Sequence, residues 1–177
     1  MVRVVVFGIV LSVFCSVSFG QAYELKDHRK DTTVKPDFRF DSLSHLNDSF
    51  FKSLRYEELE RIRDFTPTYK QLKSTFDTLA IDYSLNQVLS RQQMMVFRLQ
   101  KQYKKILKQA HKENLKMKQL QLDNTKLEYG MDEKKNEFCV VTLKTSKRKH
   151  HYEISYIAIK LNNTWYLGDN LKMEAIE

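Results

Sequence analysis

The chain has 177 residues, of which 42% are hydrophobic and 29% charged, and its formal net charge is +8. This length allows a single domain with a substantial core. The composition is that of an ordinary globular protein and excludes a low-complexity chain. No internal repeat is visible, and the positive charge directs attention to anionic partners.

The first twenty residues have the composition of a secretory signal peptide. Arg3 supplies a positive start, residues 4–17 form an uncharged apolar core, and Ser18 and Gly20 are the small side chains before a cleavage point. A cut after Ala22 also fits. A retained membrane anchor is the alternative, but the apolar core is shorter than the roughly 20 residues of a spanning helix. We therefore expect a periplasmic or extracellular protein whose mature chain has one cysteine and no internal disulfide.

Residues 21–41 are polar, mixed in charge and interrupted by Pro36, as is typical of a flexible lead-in that could instead lie along the folded sheet. Residues 42–177 are predicted to form one α+β domain. Its first part favours three short helices, because apolar residues recur at helical spacing. These residues are Leu43, Leu46, Phe50 and Leu54, then Leu59, Ile62 and Phe65, then Leu72, Phe76 and Leu79. Thr66 and Pro67 are expected to end the second helix, with the proline in the first turn of the third.

Residues 85–113 are the longest periodic segment and predict an amphipathic helix packed on a sheet. Apolar side chains follow three-four spacing, and most lysines fall opposite them. These lysines are Lys101, Lys104, Lys105, Lys108 and Lys112. A coiled coil is the alternative, but the segment is short and Gln92 lies in the apolar seam.

Four strands are predicted after the helices, over residues 120–129, 138–145, 152–161 and 164–167, and they form an antiparallel meander. Asn162 and Asn163 favour a two-residue hairpin turn, because asparagine adopts positive φ more readily than most residues. That turn pairs Leu161 with Thr164, Lys160 with Trp165 and Ile159 with Tyr166. Gly130 and Gly168 are expected at strand ends. The predicted fold is thus α+β, with N-terminal helices on a four-stranded antiparallel β-meander.

Both faces of the last hairpin are apolar. Alternation places Ile157, Ile159, Leu161 and Tyr166 on one face, and it places Ile154, Tyr156, Ala158, Trp165 and Leu167 on the other. A helical layer covers one face. The other needs a second cover, which we expect to be a partner subunit, a ligand or the chain's own tail.

Helices followed by a curved sheet that ends in I-x-L-N-N-T-W-Y-L are similar to the cystatin-like and nuclear-transport-factor-2-like folds. The matching residues are 50–54 in the first helix and 152–167 in the strands. The chain looks most like small exported bacterial proteins of uncharacterised function with this layout, over the last two thirds of its length. The resemblance implies a cone whose mouth holds a ligand or, in enzymes, an Asp-His pair, and no residues here match such a pair.

No constellation of catalytic, metal-binding or cofactor-binding residues stands out. The chain has no Gly-rich phosphate loop, no nucleophile elbow and no paired C-x-x-C. His150 and His151 are adjacent, so on a strand they point to opposite faces and do not share a metal. Cys139 lies in an apolar strand, which favours an inert buried thiol over a nucleophile. We therefore expect no cofactor, and enzymatic activity is left open but disfavoured.

The excess of basic residues is the one feature of the composition that suggests a type of partner. The lysine side of the long helix is joined by Lys147, Arg148 and Lys149 in the turn between the second and third strands. An anionic membrane surface or a cell-envelope polymer suits an exported basic protein, and nucleic acid does not. A lysine face that only keeps the protein soluble is the simpler interpretation.

These patterns favour an exported, non-enzymatic binding or accessory protein. Its expected contacts are an anionic surface at Lys147, Arg148 and Lys149, and a protein partner or second copy at the apolar sheet face. The alternative is an enzyme or small-ligand-binding protein with a cavity between the helix layer and the sheet. The sequence does not identify a ligand or a reaction.

Overall fold

The computed structural model describes residues 40–79, 82–132 and 136–176. The predicted signal peptide and most of the predicted lead-in therefore lie outside the described residues. These described residues contain three α-helices, α1 (Leu43–Arg55), α2 (Tyr69–Thr78) and α3 (Leu85–Lys112). A 3-10 helix over Leu59–Phe65 occupies the place of the predicted second helix, and a 3-10 turn over Met117–Gln119 precedes the sheet.

Each α-helix begins at a hydroxyl residue. The Ser42 side chain accepts a hydrogen bond from the backbone N–H of His45. Thr68 with Gln71, and Ser84 with Gln87, form capping boxes that satisfy the free N–H groups of the first turn. The expectation for Pro67 was therefore off by two positions, since this proline precedes the capping residue and does not enter α2.

The sheet has four antiparallel strands in the order β1-β2-β3-β4, as predicted. The strands span β1 (Gln121–Met131), β2 (Glu137–Lys147), β3 (His150–Leu161) and β4 (Thr164–Ile176). The Asn162-Asn163 turn has φ of 49° and 61°, and the three predicted pairs that flank it are all present. The α+β fold with one long amphipathic helix is thus confirmed.

Gly168 does not end β4, which continues for eight more residues to Ile176. The register with β3 shifts around Ile157, and Asn170 has a φ of 61°, so the strand bulges here. A Cβ at Gly168 would lie 2.9 Å from Ile159 Cγ2 and 3.1 Å from the Ile157 carbonyl oxygen. Glycine is needed at this position for close approach of two backbones, and not for a strand end.

The bulge is tied to the long helix by Asp169. Its carboxylate accepts hydrogen bonds from Arg98 Nη1 at 2.8 Å and from Gln102 Nε2 at 2.7 Å. The Gln102 side-chain oxygen accepts from the backbone N–H of Leu171 at 3.1 Å. These bonds fix α3 alongside β4 and satisfy polar groups that the bulge frees from the ladder.

The core lies between one face of the sheet and the helices α1 and α3. Phe50 of α1 packs edge-on against Tyr156 of β3, with ring centroids 5.1 Å apart. Trp165 is buried, and its backbone N–H donates to the Phe40 carbonyl oxygen. From α3 the core receives Met95, Leu99, Tyr103, Ile106 and Ala110.

The second face of the last hairpin is also covered within this chain. Ile157, Ile159, Leu161 and Tyr166 are between 1% and 7% exposed. The Asn162 side chain lies 3.5 Å from the hydroxyl oxygens of Ser74 and Thr75, so α2 approaches the sheet at this corner. The exposed large apolar side chains of the described sheet lie instead mostly on the edge strand β1, with Ile176 at the end of β4.

Candidate anion-binding surface

The lysines of α3 form a stripe on the solvent side of the helix. Leu99, Tyr103 and Ile106 are buried against the sheet, so the helical period turns the predicted lysines away from the core. All five are exposed: Lys101, Lys104, Lys105, Lys108 and Lys112. Among the described residues none of the five has a carboxylate within 4.0 Å, whereas lysines elsewhere pair, such as Lys73 with Asp77. The stripe therefore presents uncompensated positive charge.

The tip of the β2–β3 hairpin is a tight basic turn. Lys147 pairs with His150 in the register, so Arg148 and Lys149 are the two turn residues, and Arg148 has a φ of 58°. Both turn residues are exposed, and neither forms an ion pair with another described residue. Two of the three predicted contact residues thus present free cationic groups to solvent.

Lys147 has a different environment from the other two. It is partly buried, and its Nζ donates to the carbonyl oxygen of Asn114 at 3.3 Å. Asn114 follows the end of α3 in the left-handed region, with a φ of 53°. The amine therefore stabilises carbonyl groups at the negative end of the helix dipole.

The Lys147–Asn114 hydrogen bond places the hairpin tip against the end of the lysine stripe. Two segments that are 33 residues apart in sequence thus adjoin. We use the term basic face for the five stripe lysines together with Lys147, Arg148 and Lys149. The carboxylate of Glu113 lies at this junction and accepts a hydrogen bond from Gln109 Nε2 at 3.1 Å.

An open depression of about 430 Å³ lies on the sheet beside the tip. Its polar rim includes Asp123, Lys144 and His151. The Asp123 carboxylate accepts from the Ser146 hydroxyl at 2.8 Å, and Lys144 lies 3.8 Å from Glu153. His151 is exposed and contacts no carboxylate of a described residue within 4.0 Å. Asp123 and Lys144 each lie near another side chain, and His151 is exposed to solvent. The three groups therefore do not form a catalytic arrangement around one substrate atom.

The centre of the core holds a polar pair, but its chemistry does not favour catalysis. The Tyr156 phenol donates to the side-chain oxygen of Asn47, and both residues are buried. Burial holds the pKa of Tyr156 well above its usual value, so the phenol stays protonated at physiological pH. Neither member of the pair is an acid or base near neutrality.

Cys139 is fully buried, and burial raises the pKa of its thiol, in agreement with the predicted inert thiol. His150 and His151 are both exposed. No group of three or more histidine, cysteine, aspartate or glutamate side chains in the described ranges is arranged to hold a metal ion.

None of the described helices is both long enough and apolar enough to cross a membrane.

Comparisons with protein-family models, with curated proteins and with solved structures each returned no match to this chain. The resemblance to the cystatin-like and nuclear-transport-factor-2-like layouts therefore stays an expectation from sequence.

Proposed function

We propose that this protein is an exported, non-enzymatic binding module that attaches to anionic lipid surfaces through its basic face. The observation that carries the proposal is the unpaired lysine stripe of α3, joined to the hairpin tip by the Lys147–Asn114 bond. Each lysine or arginine near an anionic membrane contributes about 1 kcal/mol to binding. A face with several free cations is therefore sufficient for reversible attachment.

Two exposed apolar side chains favour a lipid surface over a soluble polyanion. Met94 is 48% exposed and Phe97 is 62% exposed, near the N-terminal end of the stripe. Phe97 precedes Lys101 by one helical turn, so both lie on the same side of α3. Apolar side chains beside lysines suit the boundary between lipid headgroups and acyl chains. A cell-envelope polymer has no apolar layer to accept them.

The test is sedimentation of the purified protein with vesicles that contain phosphatidylglycerol, compared with vesicles of phosphatidylcholine alone. Binding to the anionic vesicles should be strong at low salt and fall steeply near 0.15 M salt, where charges are screened beyond about 8 Å. Binding that is absent at low salt would reduce the lysines to a solubilising face. Binding that salt does not weaken would assign attachment to an apolar site.

Charge-removal variants locate the contact. Replacing Arg148 and Lys149 by Ser removes two free cations and should weaken partitioning by up to roughly 30-fold, from about 2 kcal/mol. Extending the change to Lys147→Ser should weaken it further. The matched control replaces Lys70 and Lys172 by Gln. These two exposed lysines lie outside the basic face, so their loss should change binding much less than the loss of Arg148 and Lys149.

A variant of the two exposed apolar residues distinguishes a lipid surface from an anionic polymer as the binding partner. Met94→Ser combined with Phe97→Ser leaves every charge of the basic face in place. The pair of changes should weaken binding to anionic vesicles and leave retention on an anionic polymer unchanged. Equal binding of both forms to vesicles would indicate that the face recognises negative charge alone, and the lipid assignment would then be wrong.

A further inference from the structure

The strand β1 lies at an edge of the sheet. Natural proteins normally protect such edge strands from pairing with other chains. Within the described residues it pairs with β2 and with no strand on its other side. It is 11 residues long, and most of it is exposed. A long edge strand presents a row of unpaired backbone N–H and C=O groups, which is a template for pairing with another strand.

The apolar side chains of β1 extend the core face beyond the helices. Leu127 pairs with Val141 and Tyr129 pairs with Cys139, and both partners are fully buried. Leu127 and Tyr129 therefore lie on the helix-facing side of the sheet, yet they are 38% and 64% exposed, and Met131 on the same side is 69% exposed. Within the described part of the chain, this row of three side chains is an apolar surface that stays largely exposed, although the Tyr129 ring contacts that of Trp165.

We propose that β1 pairs with β1 of a second copy of this chain, antiparallel and centred on Leu127, so that two four-stranded sheets join into one. In such an isologous contact each residue pair occurs twice. The helix-facing sides of the two sheets become continuous. The two Leu127 side chains lie opposite each other, Tyr129 of each copy lies opposite Thr125 of the other, and Met131 lies opposite Asp123 near the ends of the paired segment. The second copy thus covers the centre of the apolar row.

The charges of β1 select this register. Lys126 and Glu128 flank Leu127 and project from the other face of the sheet. Centring the pair on Leu127 places Lys126 of each copy opposite Glu128 of the other. Centring it on Lys126 or on Glu128 would instead place like charges directly opposite, which destabilises a strand pair. A centre at Thr125 leaves both charges opposite neutral residues. A centre at Tyr129 leaves Glu128 opposite Gly130 and places Lys126 opposite Asp132, one residue beyond the end of β1, so only one of the two charges is compensated.

The self-complementary charge pattern favours a second copy over a foreign strand. Only a copy of this chain necessarily presents a glutamate opposite Lys126 and a lysine opposite Glu128 when the two Leu127 residues meet. The pairing is also independent of the basic face, which lies on α3 and at the β2–β3 tip. Dimer formation and vesicle binding can therefore be tested separately.

The test is sedimentation equilibrium of the purified protein, with charge-reversed variants. The wild type should form dimers at micromolar to tens-of-micromolar concentration. Lys126→Glu places two glutamates opposite each other twice, and Glu128→Lys does the same with lysines. Each variant should weaken the dimer by about tenfold or more. An equimolar mixture of the two variants should restore it, because every cross-strand pair is then of opposite sign.

The matched control is Lys172→Glu on β4. Lys172 and Glu174 form an exposed ion pair two residues apart, at 2.8 Å, on the opposite edge strand, as Lys126 and Glu128 do within β1 at 2.6 Å. This change should leave the dimer unaffected, and circular dichroism should show all variants folded, because the altered side chains are exposed. A monomeric wild type at 100 µM, single variants that dimerise like the wild type, or a mixture that does not regain the dimer would each overturn the proposal.

Discussion

Tyr156 of β3 donates a hydrogen bond from its phenol to the side-chain oxygen of Asn47 on α1, at the centre of the core. Both residues are buried, so each would be left unsatisfied without the other. The adjacent Phe50–Tyr156 ring contact is apolar and tolerates small rotations, whereas the hydrogen bond is directional. The bond therefore fixes the position of α1 over the sheet.

Tyr156→Phe should destabilise the protein by about 1–3 kcal/mol, because it leaves the Asn47 oxygen buried without a donor. The measurement is chemical denaturation of the variant and the wild type. Tyr152→Phe is the control, since the Tyr152 phenol bonds to no described residue, and it should change the free energy of unfolding by less than about 0.5 kcal/mol. Equal effects of the two changes would contradict this role for the bond.

Trp165→Ala should cost roughly 3–5 kcal/mol, because it removes the largest side chain of the β3–β4 hairpin from the core. The indole also reaches the ring of Tyr129 on β1, with centroids 6.2 Å apart. Phe97→Ala removes an aromatic ring that is 62% exposed and serves as the control. Thermal unfolding that shifts equally for both variants would show that Trp165 does not anchor the hairpin.

Gly168→Ala should destabilise the fold by about 1–3 kcal/mol, because the added Cβ meets the Ile157 carbonyl oxygen and the Ile159 side chain. Gly130→Ala should cost less. There the three atoms nearest to the new Cβ all belong to the ring of Phe138, which is a partly exposed side chain that can turn aside. Denaturation midpoints of the two variants give the comparison, and a larger loss at Gly130 would contradict the bulge geometry.

We propose that the chain is exported and cleaved after Gly20, or after Ala22. The charge, apolar core and small side chains of the first twenty residues support this proposal. Intact mass and N-terminal sequencing of secreted material should show a chain that begins at Gln21 or Tyr23. A secreted or membrane-bound product that retains Met1 would show that the segment is an uncleaved anchor.

The sequence by itself determined the order of elements, the long helix and the register of the last hairpin. These features depend on interactions between residues close along the chain. The helical period of α3 persists over 28 residues, and the Asn162-Asn163 turn fixes which residues of β3 and β4 face each other between the turn and the bulge near Ile157. The burial of Trp165 and Cys139 also followed, because both lie in apolar, alternating strands.

Only the tertiary structure decided where the proposed binding surfaces lie. The place of Gly168 inside a bulge depends on Asp169 and its bonds to α3, about 70 residues earlier in the chain. The role of Lys147 depends on the end of α3, which no local pattern connects to the hairpin tip. The exposure of Tyr129 likewise depends on the tertiary arrangement of helices and sheet. Alternation predicts which side of a strand is apolar, but the length and position of the helices decide how much of that side is covered.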